Sequence, residues 1–195
     1  LFDSTGLAGG LVPLVPPLLV TSMALSLVGG FAGDQLVRWF PPSESQLEMF
    51  RRMLESGLLS VVVVIFIGPF IEEVIFRGLI LRSFLTNYSP VRAVMYSALL
   101  FALYHLNIYQ IPFAFAFGLL AGWLYHRTGT LWPSLGAHVV VNAIAVGLTP
   151  KGGNVLYTPE PWNSPVLATG AAAVLGLGIF WTASVLRPSG KDSTH

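Results

Sequence analysis

The sequence predicts an all-α fold: a polytopic membrane bundle of about six transmembrane helices plus one interfacial amphipathic helix, in a single domain over residues 1–195. Three observations carry that prediction. Only 10% of the residues are charged and 54% are hydrophobic, with a mean hydropathy of +0.71, whereas soluble domains carry roughly a quarter charged residues. Long runs without Lys, Arg, Asp or Glu extend over Ser4 to Gly33, Ser56 to Ile71, Ala93 to His126, Thr128 to Pro150 and Pro161 to Leu186, and a spanning helix needs about 20 mostly apolar residues. Between the first two runs lies a charged segment with an apolar stripe at helical spacing.

The helices follow in order. The first, over 8–33, contains Pro13, Pro16 and Pro17; each lacks a backbone donor, so this helix is expected to start after Pro17 or to kink there. In "FPPSESQLEMFRRMLES", Pro41 and Pro42 precede Ser43, and Gln46 completes a capping-box pattern. Leu47, Phe50, Met53 and Leu54 then share one face, as in a helix lying in the membrane interface. Ser56 to Ile71 is too short to cross alone and becomes a span, 57–82, only by continuing through Glu72, Glu73 and Arg77. Ala93 to His126 is too long for one span, and its polar knot "HLNIYQIP" divides it into helices 91–107 and 111–126. Helices at 131–149 and 165–186 complete the set, joined by "PKGGNVLYTPEPWNSP", a Gly-, Pro- and Asn-rich aqueous loop.

A net charge of +1 offers no basic face for nucleic acid. The absence of cysteine excludes thiol catalysis, thiolate metal ligands and disulfides. Residue 1 is Leu, so the numbering is expected to begin inside a longer precursor, and Ser4 to Gly33 is longer than the apolar region of a signal peptide. Six spans put Arg82, Arg92, Arg127, Arg187 and Lys191 on one side, against Arg38, Arg51, Arg52 and Lys151 on the other. This small positive-inside bias places both termini of a multi-pass protein in the cytoplasm. Trp123, Tyr125, Trp132, Trp162 and Trp181 lie mostly near span ends, as an aromatic belt requires. The small residues of "GLLAGW", Gly118 and Gly122, suit close helix packing.

Charge inside the second span needs a reason, since a charged side chain near mid-bilayer costs at least about 2.5 kcal/mol. Glu73 and Arg77 are four residues apart and about 40° offset around a helix, so they can neutralise each other. Glu72 points about 100° away from Glu73 and is left as a carboxylate in search of another partner. Two other spans offer candidates: His105, one turn after Phe101, and His138 with Asn142 on one face of the next-to-last span. At 1.5 Å per residue, Glu72, His105 and His138 lie about 15, 21 and 10 Å deep, which permits convergence once tilt is allowed.

These residues resemble a known family. "EEVIFR" (Glu72, Glu73, Arg77), "FALYH" (Phe101, His105) and "HVVVN" (His138, Asn142) are similar, in order, to the EExxxR, FxxxH and HxxxN/D motifs of the CPBP intramembrane proteases. That family includes type II CAAX prenyl endopeptidases and proteins linked to bacteriocin processing and immunity. The resemblance covers a core of about 57–148 and implies an intramembrane endopeptidase acting on a membrane-associated peptide or protein.

Peptide hydrolysis needs a deprotonated water and stabilisation of the tetrahedral oxyanion. An apolar pocket makes a carboxylate a stronger base, and Glu72 is the candidate. The resemblance also gives Glu72 that role, with His105 holding the same water, His138 and Asn142 as oxyanion donors, and Glu73, Arg77 and Phe101 in support. The same side chains offer a second chemistry, because Glu72, His105 and His138 form a His2Glu ligand set for Zn2+ with a position left for water. The sequence leaves the two open and lacks HExxH. Two other functions compete with proteolysis: a scaffold, immunity factor or assembly subunit of a larger membrane complex, and a proton-coupled transporter or channel.

Overall fold

The computed structural model describes residues 10–55, 57–148 and 164–186, and every regular element among them is helical. Helix α1 spans Val15–Trp39 after a single 3-10 turn at Val12–Leu14, α2 spans Glu44–Glu55, and α3 runs continuously over Leu58–Asn87. Four more follow: α4 at Pro90–Tyr104, α5 at Ile111–Thr128, α6 at Trp132–Leu148 and α7 at Pro165–Val185. Proline sits in the first turn of α4, α5, α6 and α7 (Pro90, Pro112, Pro133, Pro165), where no intrahelical donor is required. Helix α5 stops at Gly129, whose φ of 67° places it in the left-handed region that glycine enters without a Cβ penalty.

Both boundaries of α1 differ from the sequence reading. Helix α1 starts at Val15 rather than after Pro17, because Pro16 and Pro17 fall in its first turn, whose N–H groups have no intrahelical acceptor anyway. It also extends past Gly33 to Trp39, taking in Asp34, which is fully buried. A charge marks the end of an apolar run but not the end of a helix that packs over its whole length. The capping box at α2 forms as expected: the Ser43 N–H donates to Gln46 Oε1 at 2.9 Å, and the Gln46 N–H to Ser43 Oγ at 3.3 Å. The side chains of Phe50, Met53 and Leu54, most of the expected interfacial stripe, lie outside the described residues, as do the loop between α6 and α7 and the chain beyond 186.

Three helices, Val12–Trp39, Leu58–Asn87 and Pro165–Val185, are long and apolar enough to cross a membrane, while α4 and α6 are shorter apolar helices. Both surfaces of the bundle are apolar. Inside, Leu14, Leu25, Phe76, Phe101, Phe117, Leu124 and Val141 form the core; outside, Leu59, Phe66, Leu79, Leu177 and Phe180 point away from it. That combination fits hydrocarbon as the solvent, and the protein is an integral membrane protein.

Small residues set the closest approaches. Helices α1 and α7 pair along a seam where a Cβ on Gly178 would meet the Thr21 hydroxyl at 2.6 Å. Helix α5 lies on α4 at Gly118 and Gly122, whose added Cβ atoms would meet Ala98 Cα at 2.9 Å and Val94 Cγ1 at 3.1 Å. The "GLLAGW" segment is a packing surface, as its spacing predicts.

Candidate active site

Helix α3 carries both glutamates and is not a uniform α-helix. It takes the wider π form over Val63–Ile67 and again over Val74–Leu81, with an α segment, Gly68–Glu73, between them. A π stretch shifts the hydrogen bonds to i→i+5 and turns the residues that follow it to new faces. Glu72 and Glu73 end the α segment, and Arg77 lies within the second π stretch.

Glu73 and Arg77 form the expected pair. Arg77 Nη1 donates to Glu73 Oε1 at 2.8 Å, and both side chains are 1% exposed. Arg77 Nη2 donates to the Gly118 carbonyl of α5 at 3.3 Å. The guanidinium carbon sits 4.6 Å from the centre of the Phe101 ring and 5.7 Å from that of Phe117. A planar, weakly hydrated cation can stack on rings in this way and an ammonium cannot, which accounts for Arg at this position rather than Lys.

Glu73 has a second partner. His138 Nδ1 lies 2.8 Å from the same Oε1 atom. An ionised carboxylate only accepts, so the proton is on Nδ1. The His138 ring is held on both sides, by Phe117 at 4.5 Å and by Phe101 in an edge-on contact at 5.7 Å. Its other nitrogen, Nε2, faces Glu72 Oε2 at 3.6 Å. Arg77, Glu73 and His138 therefore form one buried chain that ends on Glu72.

Glu72 belongs to a different environment. Its side chain is 21% exposed, against 1% for Glu73. Both His138 and His105 lie within electrostatic reach of its carboxylate. His105 sits just past the end of α4, as the cap residue, not within the helix as the 91–107 boundary had it. The Phe101 carbonyl fixes its Nδ1 at 2.9 Å, which leaves Nε2 unengaged by that bond. Phe101, buried, makes an edge contact with the His105 ring at 4.9 Å and thus touches both histidines and Arg77.

The structure therefore brings Glu72, Glu73, Arg77, Phe101, His105 and His138 to one place. Asn142, one turn along α6 from His138, is turned to another part of α3: its Nδ2 donates to the Val64 carbonyl at 2.8 Å. Among the described residues, no three His, Cys, Asp or Glu side chains come together as a metal-ligand cluster. As placed, Glu72, His105 and His138 do not fit together as a metal-ligand set. Sequence reasoning missed Phe117, which holds the His138 ring, and the Gly118 carbonyl, which holds Arg77; both lie in what reads only as an apolar, small-residue stretch. An apolar groove of about 310 Å3 opens between α1 and α6 beside Leu14, Leu18, Trp132 and Ala137, and none of the site residues line it.

Comparison with known protein families matches the stretch that carries these residues. Residues 54–144 match the Rce1-like family, described as type II CAAX prenyl endopeptidase Rce1-like. The chain is also 28% identical over 94 residues to a Bacillus subtilis (strain 168) protein named "Putative membrane peptidase YdiL". That alignment takes in 48% of this chain and 38% of the relative, so the chain spans well under half the length of the curated relative it matches. No solved structure matches the chain.

Proposed function

We propose that this chain, whose residues 54–144 belong to the Rce1-like family, is an intramembrane endopeptidase that hydrolyses a peptide bond in a membrane-associated peptide or protein. The observation that carries the proposal is the division between two adjacent glutamates. Glu73 is engaged by Arg77 and His138, while Glu72 is partly exposed, faces His138 and has His105 within electrostatic reach. The description of the family and the name of the relative point to the same class of reaction.

In the proposed reaction a water is held between Glu72 and His105. Glu72 accepts a proton from it, and the resulting hydroxide forms a C–O bond to the substrate carbonyl carbon. Charge develops on the carbonyl oxygen. In this scheme His138, with Nδ1–H fixed on Glu73, carries a proton on Nε2 as well and donates it in a hydrogen bond to that oxyanion. The proton on Glu72 is then delivered to the leaving nitrogen as the C–N bond breaks, releasing a carboxylic acid and an amine. Glu73 and Arg77 reach no substrate atom in this scheme; they orient His138.

The membrane arrangement we propose has six passes with both termini in the cytoplasm. The shorter helices α4 and α6 would cross with the help of their neighbours, and the bilayer itself is the first partner. With no cysteine in the sequence, single cysteines report topology cleanly: substitutions at Tyr88 and Gly129 are expected to label from the same, cytoplasmic, side.

The activity test uses wild type and Glu72→Gln, purified in detergent or liposomes, against a broad panel of membrane peptides that includes prenylated ones. Cleavage by wild type that falls about 10²–10⁴-fold in the variant supports the proposal. If wild type cuts nothing that the variant spares, the scaffold reading replaces it. Chelator treatment is expected to leave cleavage unchanged, and loss of activity restored by Zn2+ would replace the metal-free scheme with a metal-dependent one.

A further inference from the structure

Asn142 shares a helical face with His138, yet its amide donates to a main-chain carbonyl of α3, and the reason lies in α3. In the π stretch Val63–Ile67, the N–H of Gly68 donates to the Val63 carbonyl, five residues back. The Val64 carbonyl thereby loses its α-helical donor, which would have been Gly68. Its π-helical donor would be residue 69, and residue 69 is proline, with no N–H. Val64 is thus left with a carbonyl that no main-chain group of its own helix can satisfy, inside a membrane span where water is not at hand. Asn142 Nδ2 donates to that oxygen at 2.8 Å.

We infer that Asn142 is a positioning residue: it caps the Val64 carbonyl orphaned by Pro69, and so locks α6 to the break in α3 immediately before the segment that carries Glu72 and Glu73. The α segment Gly68–Glu73 starts at this break. Helix α6 then touches α3 at two points one turn apart, Asn142 on Val64 and His138 on Glu72 and Glu73. Two points fix both the rotation and the sliding of α6 along α3, and with them the 3.6 Å approach of His138 Nε2 to Glu72. This departs from the role the family motif implies for Asn142, that of an oxyanion donor.

A double-mutant cycle tests it, using Asn142→Ala, Pro69→Ala and the two combined, in the full chain. Pro69→Ala supplies the missing N–H, so the account expects it to raise the unfolding temperature in detergent more in the Asn142→Ala background than in wild type. Cleavage, where it rests on the peptidase reading above, is expected to fall about tenfold in Asn142→Ala, as a small misalignment of His138 and Glu72 produces, and to recover in the double variant. Equal gains from Pro69→Ala in both backgrounds overturn the inference, and so does a double variant no more stable than Asn142→Ala. A fall of about 10²–10³-fold in kcat at an unchanged unfolding temperature, without rescue, assigns Asn142 to the oxyanion instead. The stability cycle reads out in a chain with no activity at all, so failure of the peptidase reading and failure of this inference remain separate results.

Discussion

The protein uses the same ion pair twice, with opposite consequences. Glu48 and Arg52 on α2 are four residues apart, with Arg52 Nε 2.8 Å from a Glu48 oxygen, and their side chains are 44% and 80% exposed. Glu73 and Arg77 on α3 have the same spacing and the same 2.8 Å distance, with both side chains 1% exposed. On α2, Arg51 joins at 3.3 Å, water screens all three groups, and the pairing decides little. On α3 neither charge can exist without the other, and the surplus hydrogen-bonding capacity goes to His138 and to the Gly118 carbonyl. Geometry is equal in the two places; only removal from water turns the pair into part of a site.

Substitutions should follow that contrast. Glu73→Gln leaves Arg77 as an uncompensated buried charge and replaces the ionised acceptor of His138 Nδ1 with a neutral amide, so a loss of about 3–5 kcal/mol is expected in chemical unfolding. Arg77→Lys keeps the charge but loses the stacking on Phe101 and the reach to Gly118, with an expected cost of about 1–2 kcal/mol. Phe101→Leu keeps apolar volume and removes the ring contacts to Arg77, His105 and His138, for about 0.5–1.5 kcal/mol beyond any change in packing. Glu48→Gln is expected to leave the unfolding transition where it is. The pH dependence is equally small. The hydrogen bond from Arg52 holds the Glu48 carboxyl below the usual glutamate range, so its contribution is present at neutral pH and fades as pH falls through that lowered value. A stability-against-pH curve on which wild type lies only slightly above Glu48→Gln at neutral pH, with the gap closing as pH falls, bears this out.

Much of this was legible in the sequence, and the rest was hidden for physical reasons. Helical geometry alone separated Glu72 from the Glu73–Arg77 pair, because 100° per residue is a local rule. Ser43 and Gln46 predicted their own cap for the same reason. Depth counting put Glu72 and His138 about 5 Å apart along the membrane normal, and the structure brings them to 3.6 Å. The two π stretches are what a uniform count of 1.5 Å per residue cannot include. Pro69 inside the second span was a visible signal of one of them, but which carbonyl it orphans depends on the register of the π-turn, which no local pattern states. Asp34 was read as a boundary although α1 buries it, since a run without charges says nothing about what packs beside its end. The Gly118 carbonyl carries no side-chain signature at all.

The central claim is that two adjacent glutamates do different work. Its most direct test measures cleavage and thermal unfolding together for wild type, Glu72→Gln and Glu73→Gln in the same detergent. The account predicts that Glu72→Gln unfolds with wild type while its cleavage falls about 10²–10⁴-fold, and that Glu73→Gln unfolds at a clearly lower temperature. A Glu72→Gln protein that cleaves at the wild-type rate, or that is destabilised as much as Glu73→Gln, contradicts it.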